Sequence, residues 1–391
     1  MAFLNYLFVS VVVLIIIITV LLRNFNRKFR TNISQDTFSV EIASRKIESY
    51  GEPYVVAEMS ANHRGRLDIA HQIVEAAAFA GADAVKLQHY KPESMTIECD
   101  LPEYQIRGGT IWDGRTLFDL YGEAMTPWEW TDELMRHASE LGLHCFSTPF
   151  DKAAVDFLQR RNVPAFKIAS FELVDLPLIR YAASQMRPII LSTGMATADE
   201  IEAAVQVARS TGNEQLVVLK CNSSYPASSD ELNLASISEI TRRWKVVSGL
   251  SDHTRDSVSA LVALGFGGTV FEKHLMVPDS GGSPDAAFSL DPHEFKRYVT
   301  DIRCGHRAVG NVKFGPTPRE VPSLAFKRSV RAIVDIPAGE YLTEQSVAAL
   351  RPAGGMNPAI LFEIGSYRTV CEVRRGEAIT ELNVEHLPTK H

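Results

Sequence analysis

Two histidines stand where two short apolar runs turn polar. Val246 to Thr254 reads VVSGLSDHT and carries Asp252 and His253, and Thr269 to His274 reads TVFEKH and ends on Glu272, Lys273 and His274. An apolar, β-branched run that stops at polar residues is the pattern of a buried parallel strand, and in a barrel of such strands the loops at the carboxyl ends build the site. The same ending recurs along the chain. It yields Glu58, Lys86 with Gln88, Thr148, Lys167 with Ser170 and Glu172, Ser192 with Thr193, Lys220 with Ser223 and Tyr225, then Ser251 to His253 and Glu272 to His274. All of these would converge on one face. Lysines among short hydroxyl side chains suit an anionic substrate carrying phosphate and carboxylate, because an ammonium is a point charge and a hydroxyl a short donor. His253 and His274, with Asp285 in the loop beyond the last strand, suit a divalent metal that keeps open positions for water or a carbonyl oxygen. Glu58 and Glu172 are then candidates for general acid or base work. A single strand-end lysine is usually a solvated charge and a single serine usually a cap, but their joint recurrence sets that reading aside.

Positioning such residues requires a repeating scaffold, and the chain supplies one from Tyr54 onward. Strand-like runs YVVAEMS, AVKLQHY, LHCFSTPF, AFKIAS, PIILSTGM, LVVLKCNSSYP, VVSGLSDHT and TVFEKHL alternate with helical periodicity, as over Leu67 to Ala80, Ala153 to Arg161 and Ala198 to Ser210. Alternation of this kind gives parallel strands with right-handed crossovers, and eight can close into a (β/α)8 TIM barrel. An open doubly wound sheet is the other topology the pattern allows. No Gly-x-Gly-x-x-Gly follows the first strand, which argues against a dinucleotide site. Lys91 to Pro127 is longer than a barrel needs, and either covers and selects a substrate or packs as an extra helix.

The 391 residues hold a barrel of the usual size, about 250 residues, plus a smaller domain and a segment at each end. A formal net charge of -7 excludes a general nucleic-acid-binding surface. Five scattered cysteines without CxxC spacing fit a reducing compartment. Phe3 to Leu22 is apolar and uncharged, and Arg23, Arg27, Lys28 and Arg30 follow, so residues 1–30 read as an amino-terminal transmembrane helix with a basic flank. The basic flank places the rest of the chain at the cytoplasmic face of the membrane on a single-pass anchor. Residues 31–49 read as a tether, 50–309 as the barrel, 310–327 as a Pro/Gly-rich linker and 328–391 as a small mixed domain with two similar turns, Asp335 to Glu340 and Glu372 to Glu377.

The motifs AEMSANHRG, GADAVKLQ, FSTPF, FKIASFE, LSTGM, GLSDHT, EKH and RPAGG, in that order from Tyr54 to near the end, together resemble the nonulosonic (sialic) acid synthases. Within that family SANHRG, GGTIWDGRTLFDLY, TPWEW and KIASFE are most similar to the pseudaminate branch. The resemblance implies a (β/α)8 barrel with a carboxyl-terminal antifreeze-like (SAF) domain. It also implies condensation of phosphoenolpyruvate with an N-acetylated aldose and water, releasing phosphate. For the pseudaminate branch the sugar is 2,4-diacetamido-2,4,6-trideoxy-altrose; the alternative is an N-acetylneuraminate or legionaminic acid synthase using N-acetylmannosamine or the legionaminic precursor. By motif match His253 and His274 carry a divalent metal, manganese with magnesium or cobalt as substitutes, and Asp285 assists. Lys86, Lys167, Thr148, Ser170, Ser192, Ser223 and Ser251 match positions that hold phosphoenolpyruvate. Glu58 and Gln88 match positions facing the sugar and the reacting centre, while Glu172 and Tyr225 match supporting and substrate contacts. Arg351 matches an arginine that reaches over a partner's barrel to the N-acetyl group, which implies a domain-swapped homodimer. The chain departs from the family at Arg351-Pro352-Ala353-Gly354-Gly355, at Ser283-Pro284-Asp285 and in its apolar amino terminus. A membrane-tethered carbohydrate-binding or ice-binding-like protein is the non-enzymatic alternative, and phosphate release discriminates between the two.

Overall fold

The structure is a computed structural model that describes residues 37–387. Eight parallel strands close into a barrel: β3 (Tyr54–Glu58), β4 (Ala84–His89), β5 (His144–Pro149), β6 (Phe166–Ile168), β7 (Ile189–Ser192), β8 (Leu216–Cys221), β9 (Val247–Asp252) and β10 (Val270–His274), with β10 returning to pair with β3. Closure leaves no free edge, so the open-sheet topology is excluded. Strands β3, β9 and β10 are buried along their whole length. They must satisfy apolar surroundings on both faces, which is why they read as continuous apolar runs rather than alternating ones.

The outer layer is built by helices whose buried faces follow a 3.6-residue period. In Leu67–Ala80 these are Ile69, Ala70, Ile73, Val74 and Ala77, packed on Val55, Ala57 and Leu87 of the strands. That helix stops at Gly81, whose φ of 82° lets its N–H reach the Ala77 and Ala78 carbonyls. Asp151 and Thr197 cap the next helices by accepting from Ala154 N and Glu200 N, each such cap contributing about 1 kcal/mol. A helix over Ser236–Trp244, burying Ile237, Ile240 and Trp244, lies where the sequence reading assigned none.

Two features correct the sequence reading at the amino-terminal side. Where residues 31–49 were expected to form a tether, β1 (Ser39–Ile42) and β2 (Arg45–Glu48) pair as an antiparallel hairpin. Its Val40, Ile42 and Ile47 join Tyr54, Val56, Ala84, Val217, Val247 and Val270 in the barrel interior, so the hairpin plugs the amino-terminal end of the barrel. The second correction concerns the membrane anchor and the localisation derived from it. Among the described residues no helix is long and apolar enough to cross a membrane. The longest, Pro292–Val309, carries Glu294, Lys296, Arg297, Asp301, Arg303 and Arg307. The Phe3 to Leu22 run on which the anchor rested lies outside the described residues.

A second compact unit begins at Asn311. Ser329–Ala332 pairs with Val347–Leu350, and Tyr367–Thr369 with Val384–His386, around a core that includes Val330, Ile336, Leu342, Val373 and Ile379. The two similar turns face one another: Ile336 and Val373 exchange backbone hydrogen bonds at 2.7 and 2.9 Å. Gly339 and Gly376, at matching places in these turns, have φ of 86° and 90°, which side-chain-bearing residues rarely adopt.

The plug generates a prediction. Ile42 is wholly buried, so Ile42→Ala leaves a cavity and lowers unfolding free energy by roughly 2–4 kcal/mol, measured by urea denaturation. An unchanged midpoint would show that the hairpin is not part of the barrel core.

Candidate active site

Most of the barrel residues singled out above surround one cavity of about 730 Å³; Thr148 does not line it but accepts a hydrogen bond from Lys86 Nζ at 3.1 Å. Arg351 belongs to the second unit. Four strand-end residues read as part of this face do not line the cavity. Asp252 and Lys273 point outward, Lys220 Nζ donates to its neighbour's carbonyl at Cys221, and Thr193 donates to the Leu219 carbonyl.

Strand alternation explains which side chains arrive. In β9 and β10 Ser251 opposes Glu272 and Asp252 opposes Lys273 in register. Successive side chains point to opposite faces, so the first pair enters the barrel mouth and the second leaves it. The inward pair is joined by a Ser251 Oγ to Glu272 hydrogen bond of 3.1 Å. Outside, Asp252 accepts from Thr254, Ser259 and Tyr298 and pairs with Lys273 Nζ at 3.3 Å, all buried. Breaking one member of such a buried pair typically costs about 3–5 kcal/mol, so the network holds the strand ends that carry His253 and His274 in fixed relation.

Inside, charge is concentrated and dry. Lys86 and Lys167 are 3% and 2% exposed. Lys86 Nζ contacts Glu58 and lies 3.6 Å from Glu272, and Lys167 Nζ lies 3.5 Å from the same Glu272 oxygen. Burial pushes the Glu58 carboxyl up to about 7 against the pull of Lys86. Burial likewise raises Glu172 to about 7. Burial alone would discharge Lys86, but Glu272 and Glu58 outweigh it and hold its pKa above the usual lysine value. For Glu272 burial works upward, yet the two lysines prevail and keep it a carboxylate. Lys167, which has the weaker carboxylate company, is lowered by burial. Glu272 therefore bridges both lysines, a role that its place at a strand end did not reveal.

The histidines sit side by side, ring centroids 5.4 Å apart. The Asn222 carbonyl lies 2.8 Å from His253 Nδ1 and can only accept, so Nδ1 carries a proton and Nε2 is the ring nitrogen left for a ligand; burial works downward on its pKa, but Cys221, the Asn222 carbonyl and Asp252 raise it. Cys221 Sγ lies 3.9 Å from the same Nδ1, and although burial works upward on this thiol, His253 brings it down to about 7. Burial, reinforced by the charges of His253, Lys86, Lys273 and Lys167, holds His274 neutral, its pKa well below the ordinary value. Its Nδ1 is buried without a hydrogen-bond partner among the described residues and lies 3.9 Å from Asp285 Oδ2. Asp285 is itself oriented by Ser60 Oγ and by the Ala61 N–H at 3.4 Å. Gln88 donates to Ser60 Oγ at 3.0 Å, linking the two walls. A neutral His274 with an orphaned ring nitrogen, beside a second imidazole, fits a divalent cation. Among the described residues no cluster of three or more His, Cys, Asp or Glu is arranged around a single metal position. A metal here would thus complete its shell from water or substrate.

The floor between β6 and β8 depends on the absence of a side chain. A Cβ at Gly194 would lie 2.0 Å from Ser223 Oγ and 2.7 Å from Ser170 Oγ, and the Gly194 N–H donates to Ser170 Oγ at 3.0 Å. Ser192 Oγ, next to it, is buried without a partner among the described residues. A buried hydroxyl left unpaired on a cavity wall is poised for a bound polar group.

The model of the NeuB family matches residues 73–314. A pseudaminic acid synthase of Campylobacter jejuni is 38% identical over 328 residues, covering 84% of this chain and 95% of the relative. The pseudaminic acid synthase of Helicobacter pylori is 41% identical over 313 residues, 80% of this chain and 92% of its own. Among solved structures, an N-acetylneuraminic acid (sialic acid) synthetase from Leptospira borgpetersenii superposes with a TM-score of 0.65 at 27% identity, covering 74% of this chain and 95% of that one.

Gly194→Ala is expected to displace Ser170 and Ser223 and to weaken binding of inorganic phosphate, measured calorimetrically, by about tenfold or more, the loss of roughly one to two hydrogen bonds. Unchanged affinity would remove these serines from the anion site.

Proposed function

The chain belongs to the NeuB family, and from that premise we propose that it condenses phosphoenolpyruvate with 2,4-diacetamido-2,4,6-trideoxy-altrose and water to give pseudaminic acid and phosphate. The observation that carries this reading is the pair of buried lysines sharing Glu272 across one cavity from two adjacent imidazoles. It is the reading that the 38% and 41% identical pseudaminic acid synthases support.

Lys86 and Lys167, with Thr148, Ser170, Ser192, Ser223 and Ser251, hold the phosphate and carboxylate of phosphoenolpyruvate. Fixed donors in a dry site stabilise developing charge without reorganising. Carbon 3 of phosphoenolpyruvate forms a bond to the aldehyde carbon of the open-chain sugar, and a water oxygen bonds to carbon 2. The carbon 2–oxygen bond to phosphate then breaks and phosphate leaves. Glu58, raised to about 7, is partly protonated at neutral pH and can give a proton to the former aldehyde oxygen. Gln88 faces the same centre, and Glu172 and Tyr225 contact the sugar. His253 and His274, with the help of Asp285, would hold a divalent metal, manganese by preference and magnesium or cobalt as substitutes, which would supply Lewis-acid polarisation of the aldehyde. The unit beginning at Asn311 is assigned as the antifreeze-like SAF domain. In a domain-swapped homodimer its Arg351 reaches the sugar's N-acetyl group.

The test is phosphate release by purified protein given manganese, phosphoenolpyruvate and each of three sugars: the altro sugar, the legionaminic precursor and N-acetylmannosamine. Turnover selective for the altro sugar is expected. Preference for another sugar replaces the product, and no release with any sinks the synthase reading. His253→Ala and His274→Ala should each reduce turnover at least about a hundredfold and weaken manganese binding seen by calorimetry. Arg351→Ala should raise the sugar's KM about tenfold or more with little change in that of phosphoenolpyruvate; equal effects on both would exclude the capping arginine.

A further inference from the structure

The cavity wall is chemically divided. The strand ends contribute lysine, glutamate, histidine and serine, whereas the insertion between β4 and the helix Thr131–Glu140 contributes Ile106, Trp112, Leu117, Leu120 and Tyr121 among others, and no charged side chain. Half of this site is therefore built to bind charge and half to exclude it.

The apolar half is held in place by specific bonds. Trp112 Nε1 donates to the Pro284 carbonyl at 2.9 Å, tying the insertion to the loop that carries Asp285. Its ring packs on Tyr225 at 5.6 Å and on Phe288 at 6.4 Å, and these rings in turn lie 4.4 Å from His253 and 4.8 Å from His274. The turn bearing Trp112 is preformed, since the Asp113 carboxylate accepts from the N–H groups of Gly108, Gly109 and Thr110 at 3.2, 2.8 and 2.9 Å. Leu117 opens a helix, Leu117–Ala124, capped by Thr116, so its side chain is fixed by secondary structure rather than by a loose loop.

Resting on the synthase reading, we propose that this wall, with Ile106, Trp112, Leu117 and Leu120, receives the C6 methyl group of the sugar and selects 6-deoxy over 6-hydroxy aldoses. A methyl group is stabilised by apolar contact. A hydroxyl forced against the same side chains loses its hydrogen bonds to water and gains none, which costs about 1–3 kcal/mol. Apolar pockets discriminate on this scale, by roughly 10- to 200-fold.

The experiment compares kcat/KM for 2,4-diacetamido-2,4,6-trideoxy-altrose with that for 2,4-diacetamido-2,4-dideoxy-altrose, which differs only by a 6-hydroxyl. The unmodified chain should prefer the deoxy sugar by roughly 10- to 200-fold, the range apolar pockets reach. Leu117→Asn should shrink that ratio about tenfold, the equivalent of roughly one hydrogen bond, without changing the KM of phosphoenolpyruvate. Leu117→Met, which keeps the wall apolar, should retain the ratio, and Ile106→Thr carries the same test should Leu117→Asn fail to fold. Equal rates with both sugars, or an undiminished ratio in both polar variants, overturns the selector while leaving the synthase reading intact. No turnover of either sugar by the unmodified chain overturns the synthase reading itself.

Discussion

Four charges buried together at the carboxyl end of the barrel set the terms for the rest of the molecule. Lys86 and Lys167 could not stay ionised at 3% and 2% exposure without carboxylate company, and Glu58 and Glu272 provide it. Isolated, each charge would shift its pKa and neutralise; together they form a cluster with no net formal charge. An anionic substrate must then compete with Glu58 and Glu272 for the lysines. Glu58, already raised to about 7, is the member most readily discharged.

Holding that cluster requires strands whose relative register cannot slip. A shift of one residue would send Ser251 and Glu272 outward and bring Asp252 and Lys273 inward. The outward pair guards against this, because Asp252 and Lys273 find their partners only on the helix side, at Ser259 and Tyr298 and at the Thr254 carbonyl. The polar network outside the barrel and the chemistry inside it are alternate positions of the same two strands.

Much of this arrangement is legible in the chain itself. All eight strands show as apolar runs with polar ends, since both of their faces are covered and only their mouths meet solvent or ligand. Less visible are features that depend on a direction or a partner. Asp252 and Lys273 read like site residues because linear order does not show which way a strand end turns. Val40, Ile42 and Ile47 are too few and too interspersed with polar residues to announce a barrel plug. The helix Ser236–Trp244 follows a polar loop and packs only three large side chains, Ile237, Ile240 and Trp244. Glu272 gains its place only when Lys86 and Lys167, far away in sequence, arrive beside it. Apolar length and the basic flank after it favoured a membrane segment, and no described helix is long and apolar enough to cross a membrane.

The hairpin that fills the amino-terminal end has a kinetic meaning. With Ile42 and Ile47 closing the bottom, the cavity among the described residues lies at the carboxyl ends of the strands, where the insertion that carries Trp112 lines it. Whatever occupies the lysine floor must pass the place where its co-substrate will later sit. Once the outer ligand is bound, the inner one is trapped. With phosphoenolpyruvate on the lysines as proposed, such a plan would favour entry of the deep anion before the bulkier molecule.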